Sequence, residues 1–258
     1  MNVIEHSNWT NKKIEYIKNV NITEYDLQDG GLSVIKEYKL LNDKYINQLV
    51  TMEKEKRNIV IGKLQAKLRN LSSNMVLGFG KARQLFVDTN NILDDDILSI
   101  KKDAMFIINR HHIITKISEN LNFRIKNAYS SYINLNRKEF FWSSILRELI
   151  VKGLSDEVKE LQKDFLLKNI GQFLNQSEKI QKEQLYENLK KYRSDYLNRK
   201  LPIETYRNLD TGLYTIDDFE INTADNEYIE MVDISYNFIN YINPLIQRLM
   251  RYNNKYEK

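Results

Sequence analysis

Two carboxylates in this 258-residue chain sit where a rigid backbone would present them to a substrate. Asp103 lies at the bend of Ile97-Leu-Ser-Ile-Lys-Lys-Asp-Ala-Met-Phe-Ile-Ile108, whose apolar, β-branched and aromatic halves flank a short charged centre. That is the pattern of a half-buried strand or tight hairpin. Asp26 lies in Glu24-Tyr-Asp-Leu-Gln-Asp-Gly-Gly-Leu-Ser-Val-Ile35, a strand end running into a Gly-rich turn and then a helix. Two acidic strand ends far apart in sequence are what a two-metal phosphoryl-transfer site needs, because both ions must be bridged by carboxylates from a common sheet. Asp26 and Asp103 are therefore the candidate catalytic and metal-binding residues, with carboxylates expected within about 4 to 6 Å of each other.

These segments resemble the palm domain of family B DNA polymerases. Glu24 to Ile35 looks like motif A, in which a metal-binding Asp is followed by a turn, a Ser and an aliphatic pair opening a helix; here these are Asp26, Ser33, Val34 and Ile35. The hairpin around Asp103 looks like motif C, whose usual form is Tyr-Gly-Asp-Thr-Asp-Ser. Ser99-Ile-Lys-Lys-Asp-Ala keeps the second Asp and has Lys101 where the first stands. Lys126-Asn-Ala-Tyr129 resembles the Lys-Lys-x-Tyr strand that lies beside the primer-template. The order of the three is that of the family, and the resemblance covers residues 22 to 135. Motif B is not recognisable, although Arg57 to Phe86 occupies its place, and an exonuclease domain is not expected before Asp26.

The resemblance implies an α+β chain. A palm-like antiparallel sheet with helices and reduced fingers is expected in residues 1–150, and a mainly helical, thumb-like domain in residues 151–258. It implies two-metal nucleotidyl transfer on a primer-template, with Mg²⁺ or Mn²⁺ held by Asp26 and Asp103, Lys126 on a phosphate and Tyr129 packed against sugar or base. Lys101 leaves the enzymatic activity open. A cation in place of a carboxylate about 4 Å from a metal shifts two charge units, each on the order of 4 kcal/mol at an effective dielectric of 20. A non-catalytic phage accessory or inhibitory protein that binds nucleic acid or protein is the rival reading, since it tolerates Lys101. In a third, a plain interaction protein, the 16 Tyr and 10 Phe are only core and interface.

Composition narrows the classes. A hydrophobic content of 42% supports a real core, and the absence of Cys excludes a disulfide frame, a thiolate metal site and a thiol nucleophile. Residues 1–13 lack an apolar signal core and no run of about 18 apolar residues occurs, so a soluble intracellular protein without a membrane partner is expected. Thirty Asn and thirty Ile against two Pro suggest AT-rich coding, as in a low-GC bacterium or its phage. Residues 1–150 hold 23 Lys and Arg against 17 Asp and Glu, whereas the remainder holds 16 against 18. A modestly basic half bearing the suspected palm suits a polyanion such as nucleic acid.

Periodicity supplies the elements that must position these residues. Residues 32–50 read as one helix and Glu53 to Leu71 as a second, basic one. In the latter Lys56, Lys63 and Lys67 share a face, with Lys63 and Lys67 as candidate nucleotide-binding residues and a solvated face as the plainer explanation. Gly78-Phe-Gly80 is expected to interrupt the pattern before a helix from Lys81 to Asn90. Asp94-Asp95-Asp96 reads as a solvated lead-in to the central strand, and His111 and His112 as strand surface. Strands are expected at Leu121–Ile125, Tyr129–Leu135 and Glu139–Trp142, and helices after Lys152, including Ser177–Leu197 and a last one from Tyr228 to Tyr252 kinked at Pro244. The segment from Asp217 to Asp233 has seven acidic residues and no basic ones, which marks a loop or a surface for a protein partner.

Overall fold

A computed structural model describes residues 3–108, 113–135, 138–143, 145–154, 160–175, 178–202, 205, 213–216, 219–222 and 238–255. The chain divides into two compact units, Met1–Ile14 with Asn19–Ser130, and Glu15–Lys18 with Ser131–Lys258. The fold is α+β. Its main sheet has the strands β1 (Asn8–Thr10), β2 (Tyr16–Leu27), β3 (Ile97–Lys101), β4 (Ala104–Ile108), β5 (Phe123–Leu135), β6 (Lys138–Ser143) and β7 (Glu148–Lys152). Their order is β1-β3-β4-β2-β5-β6-β7. The expected strands around residues 22–26, 97–108 and 121–135 do lie in one sheet, with β4 antiparallel to both β2 and β3.

In the first unit the helices α1 (Gly30–Glu37), α2 (Asp43–Val50), α3 (Lys54–Lys67) and α4 (Leu71–Thr89) fall between β2 and β3. Tyr25, Val34, Phe86, Ile97, Ile100, Met105 and Phe123 form the core between sheet and helices, and Phe86 lies 4.4 Å from Phe123 and 5.3 Å from Tyr25, ring centre to ring centre. Truncating such a ring costs about 3 to 5 kcal/mol. The single helix expected over 32–50 is two. Lys39 turns the chain at φ 47°, a left-handed conformation that ends α1, and the Asn42 side chain then accepts from the Tyr45 amide to start α2. Gly78-Phe-Gly80 does not interrupt anything either, for both glycines lie inside α4. A Cβ at Gly78 would fall 2.4 Å from a Val34 methyl, so the glycine marks the close approach of α1 and α4.

In the second unit α5 (Glu160–Asn175), α6 (Glu178–Leu197) and α7 (Asn243–Lys255) pack a core of Ile133, Phe140, Leu166, Ile170, Phe173, Leu189, Phe238, Leu245 and Leu249. Among the described residues after Lys152 helix dominates, as expected. β8 (Leu213–Ile216) and β9 (Phe219–Asn222) form an antiparallel hairpin, so part of the acidic segment is a strand. Residues 217–218 and 223–233 of that segment, like His111 and His112, lie outside the described residues. Pro244 is the second residue of α7, which follows directly on a π-helical stretch at Phe238–Ile242, so the hydrogen-bonding pattern changes from π to α next to the residue that lacks an amide.

Candidate metal and nucleic-acid site

Asp103 occupies a two-residue turn. Lys101 pairs with Ala104 across the β3–β4 hairpin, and Lys102 closes it at φ 55°. The Asp103 carbonyl accepts from the Leu27 amide at 3.3 Å, and Asp26 stands opposite Ala104 in the β2–β4 register. The end of β2 and the tip of the hairpin are thus stitched together. Gly30, the first residue of α1, lies under the Asp103 carboxylate, where a Cβ would come within 2.9 Å of Oδ2. A side chain there would have to push the Asp103 carboxylate or the Phe79 ring aside.

Burial raises the Asp103 carboxyl above its ordinary value, and the charge of Asp26 raises it further. Its own backbone hydrogen bond, Lys126 and Lys102 act the other way. Lys101 is not among these influences. The register sets Lys101, Ala104 and Asp26 in one row, two strand spacings from end to end, or about 9.6 Å. The Lys101 ammonium reaches Thr10 Oγ1 on β1 at 3.4 Å. The turn at Lys102 and Asp103 takes Asp103 out of the strand alternation.

β5 covers the carboxylates of β2. Asp26 accepts from Arg124 Nη2 at 3.0 Å. Glu24, two residues before Asp26 and on the same face, is 1% exposed and accepts from Tyr129 Oη at 2.6 Å and Asn127 Nδ2 at 2.7 Å, with Lys126 Nζ at 3.7 Å. Tyr129 is 3% exposed, so its ring is not a surface on which a sugar or base can pack. It positions Glu24 instead. Glu24 escaped the reading of the sequence, although its spacing of two from Asp26 was a signal.

Lys63 and Lys67 are exposed on α3 and make no described contact with the carboxylate pair. A different residue of that helix reaches the turn after Asp26. Arg57, 8% exposed, pairs with Asp29 at 3.2 Å, and Lys54 lies 3.5 Å from the same carboxylate. Arg83 of α4 is 1% exposed and donates to the carbonyls of Ile4, His6 and Lys102. Burial pulls its guanidinium down to about 10, against the opposing charge of Asp103.

The family described as Bacteriophage PBS1 gene 130 protein matches residues 1–251. The chain belongs to that family. No curated protein matches it. Among solved structures, it is similar to the family B DNA polymerase from the hyperthermophilic archaeon Pyrobaculum calidifontis, with a TM-score of 0.47 and 10% identity. The match covers 92% of this chain and 46% of that one, so this chain spans about half the enzyme's length.

For a metal the donor set is small. Among the described residues no three His, Asp or Glu side chains group to hold an ion. Asp26 and Asp103 nevertheless offer hard oxygen donors from two rigid elements, and Mg²⁺ is commonly held by one or two carboxylates with water and substrate phosphates completing its shell. Two like charges near enough for one to raise the other's proton affinity are relieved by a divalent cation. The residues fit an ion that is shared with a phosphate-bearing substrate. Among the described residues no helix is long and apolar enough to cross a membrane.

Proposed function

We propose that this chain is a polymerase-related palm protein that binds a primer-template and carries out nucleotidyl transfer. Asp26 and Asp103 hold Mg²⁺ or Mn²⁺, and Lys126 faces the nucleic-acid backbone. Lys63 and Lys67, exposed on the helix whose Arg57 reaches Asp29, are proposed to meet the incoming triphosphate. The observation that carries the reading is the convergence of Asp26 and Asp103 at the end of β2 and the hairpin tip, where the charge of one raises the carboxyl of the other. The metal would supply activation of the attacking hydroxyl and neutralisation of the triphosphate. The test is primer extension by the purified chain with Mn²⁺ or Mg²⁺ and nucleotides. Wild type extends, and Asp103→Asn does not while its thermal melt stays cooperative. Extension that survives Asp103→Asn would sink the assignment.

The Arg124–Asp26 pair favours a second reading, a non-catalytic nucleic-acid-binding phage protein, because a cation already neutralises one of the two carboxylates. No extension by wild type, together with retention of primed DNA on a filter, selects it.

A further inference from the structure

Adjacent in the sheet, β2 and β5 face each other with two rungs of opposite charge. Glu24 and Asp26 are two residues apart on β2, as Arg124 and Lys126 are on β5. The rungs are Arg124 to Asp26 at 3.0 Å and Lys126 to Glu24 at 3.7 Å. Their halves differ in burial. The Asp26 and Glu24 side chains are 10% and 1% exposed, whereas those of Arg124 and Lys126 are 48% and 45% exposed. Carboxylates so far from water need a counter-charge. The cations that supply it hang on long stems with their heads half in solvent, free to swing to another anion.

We propose that Arg124 and Lys126 are resident counter-ions of this site. A nucleic-acid phosphate draws them off Asp26 and Glu24, and a divalent metal replaces them, so that nucleic acid and metal bind with positive cooperativity. The inference rests on the reading of Asp26 and Asp103 as metal ligands. The exchange balances in charge: the guanidinium moves from carboxylate to phosphate, for which its planar fork is well shaped, and the dication takes its place between Asp26 and Asp103. Glu24 keeps its bonds from Tyr129 and Asn127 when Lys126 leaves, so the second rung opens onto a carboxylate that is still hydrogen-bonded. Thermodynamic linkage makes the effect reciprocal, and Mn²⁺ must tighten nucleic-acid binding by the factor by which nucleic acid tightens Mn²⁺.

The experiment is a Mn²⁺ titration of the full chain, followed by loss of the free-ion paramagnetic resonance signal, with and without a short oligothymidylate whose own Mn²⁺ uptake is subtracted. Wild type is expected to bind Mn²⁺ roughly fivefold or more tightly when the oligonucleotide is present. Arg124→Gln should bind Mn²⁺ more tightly than wild type without the oligonucleotide and gain less from adding it. Arg124→Lys, which keeps the charge, should behave like wild type. Equal Mn²⁺ affinity in wild type and Arg124→Gln, or no gain in wild type on adding oligonucleotide, overturns the proposal. The wild-type comparison alone decides the matter if Arg124→Gln fails to fold. Absence of Mn²⁺ binding in every arm removes the metal site itself, whereas intact coupling without primer extension overturns only the catalytic reading.

Discussion

Arg83, in the interior of α4, donates to the carbonyl of Lys102, the residue next to Asp103. The Lys102 amide in turn donates to the Ser7 carbonyl at 2.6 Å, so the turn that presents Asp103 is gripped on both sides of one residue. The same guanidinium also takes the carbonyls of Ile4 and His6, which fixes the chain before β1 against the hairpin.

Arg83→Met should therefore cost about 3 kcal/mol or more in urea unfolding, because it strands buried carbonyls that a charged donor had satisfied. Arg83→Lys should recover only part of the loss, since an ammonium cannot reproduce the fork. A loss within experimental error for Arg83→Met would mean that these carbonyls find other donors.

The raised Asp103 carboxyl has a defined effect on stability. Folding favours its protonated form, so the stabilising contribution is full below the unfolded value near 3.8 and is lost as pH rises through the higher folded value. At neutral pH the ionised group is a burden, and Asp103→Asn should melt at a higher temperature than wild type. That advantage should shrink as pH falls toward 3.8. Melting curves of the two proteins across that range check the sign, and a lower melting temperature for the variant at pH 7 contradicts it.

Two glycines in helices should respond in opposite ways to alanine. Gly62 in α3 has nothing within 4 Å of the position that an added methyl would take, so Gly62→Ala should stabilise by about 1 kcal/mol through helix propensity. Gly78→Ala drives a methyl into Val34 and should destabilise by about 1 to 3 kcal/mol despite the same propensity gain. Denaturant midpoints with unchanged slopes read both directly.

Lys126 and Tyr129, three residues apart on β5, should separate by assay. Lys126→Ala should reduce the salt slope of nucleic-acid binding by about one unit without altering sequence preference. Tyr129→Phe should instead cost about 1 to 3 kcal/mol of stability, because Glu24 is buried and loses a donor at 2.6 Å. A Tyr129→Phe variant that folds as stably as wild type but binds nucleic acid weakly would return the ring to the interface.

The strands around Asp26 and Asp103 were legible in the sequence as short β-branched and aromatic runs, but the structure buries consecutive residues of them on both faces, at 22–27, 97–100 and 104–107, where a half-buried strand was expected. The helical second half was legible at period 3.6. Where the chain reverses was harder to read. The break at Lys39 between α1 and α2 leaves the apolar spacing unchanged and depends on one backbone angle. The partners of the charged groups lay further still from local pattern. Arg124 and Asp26 are separated by 98 residues, Tyr129 and Glu24 by 105, and Arg83 and Ile4 by 79. Local spacing set the face of β2 that Glu24 and Asp26 share. Only the tertiary strand order, with β5 against β2 and the hairpin turn over Gly30, decided which charges meet, because ion pairing acts over a few ångströms of space and is indifferent to distance along the chain.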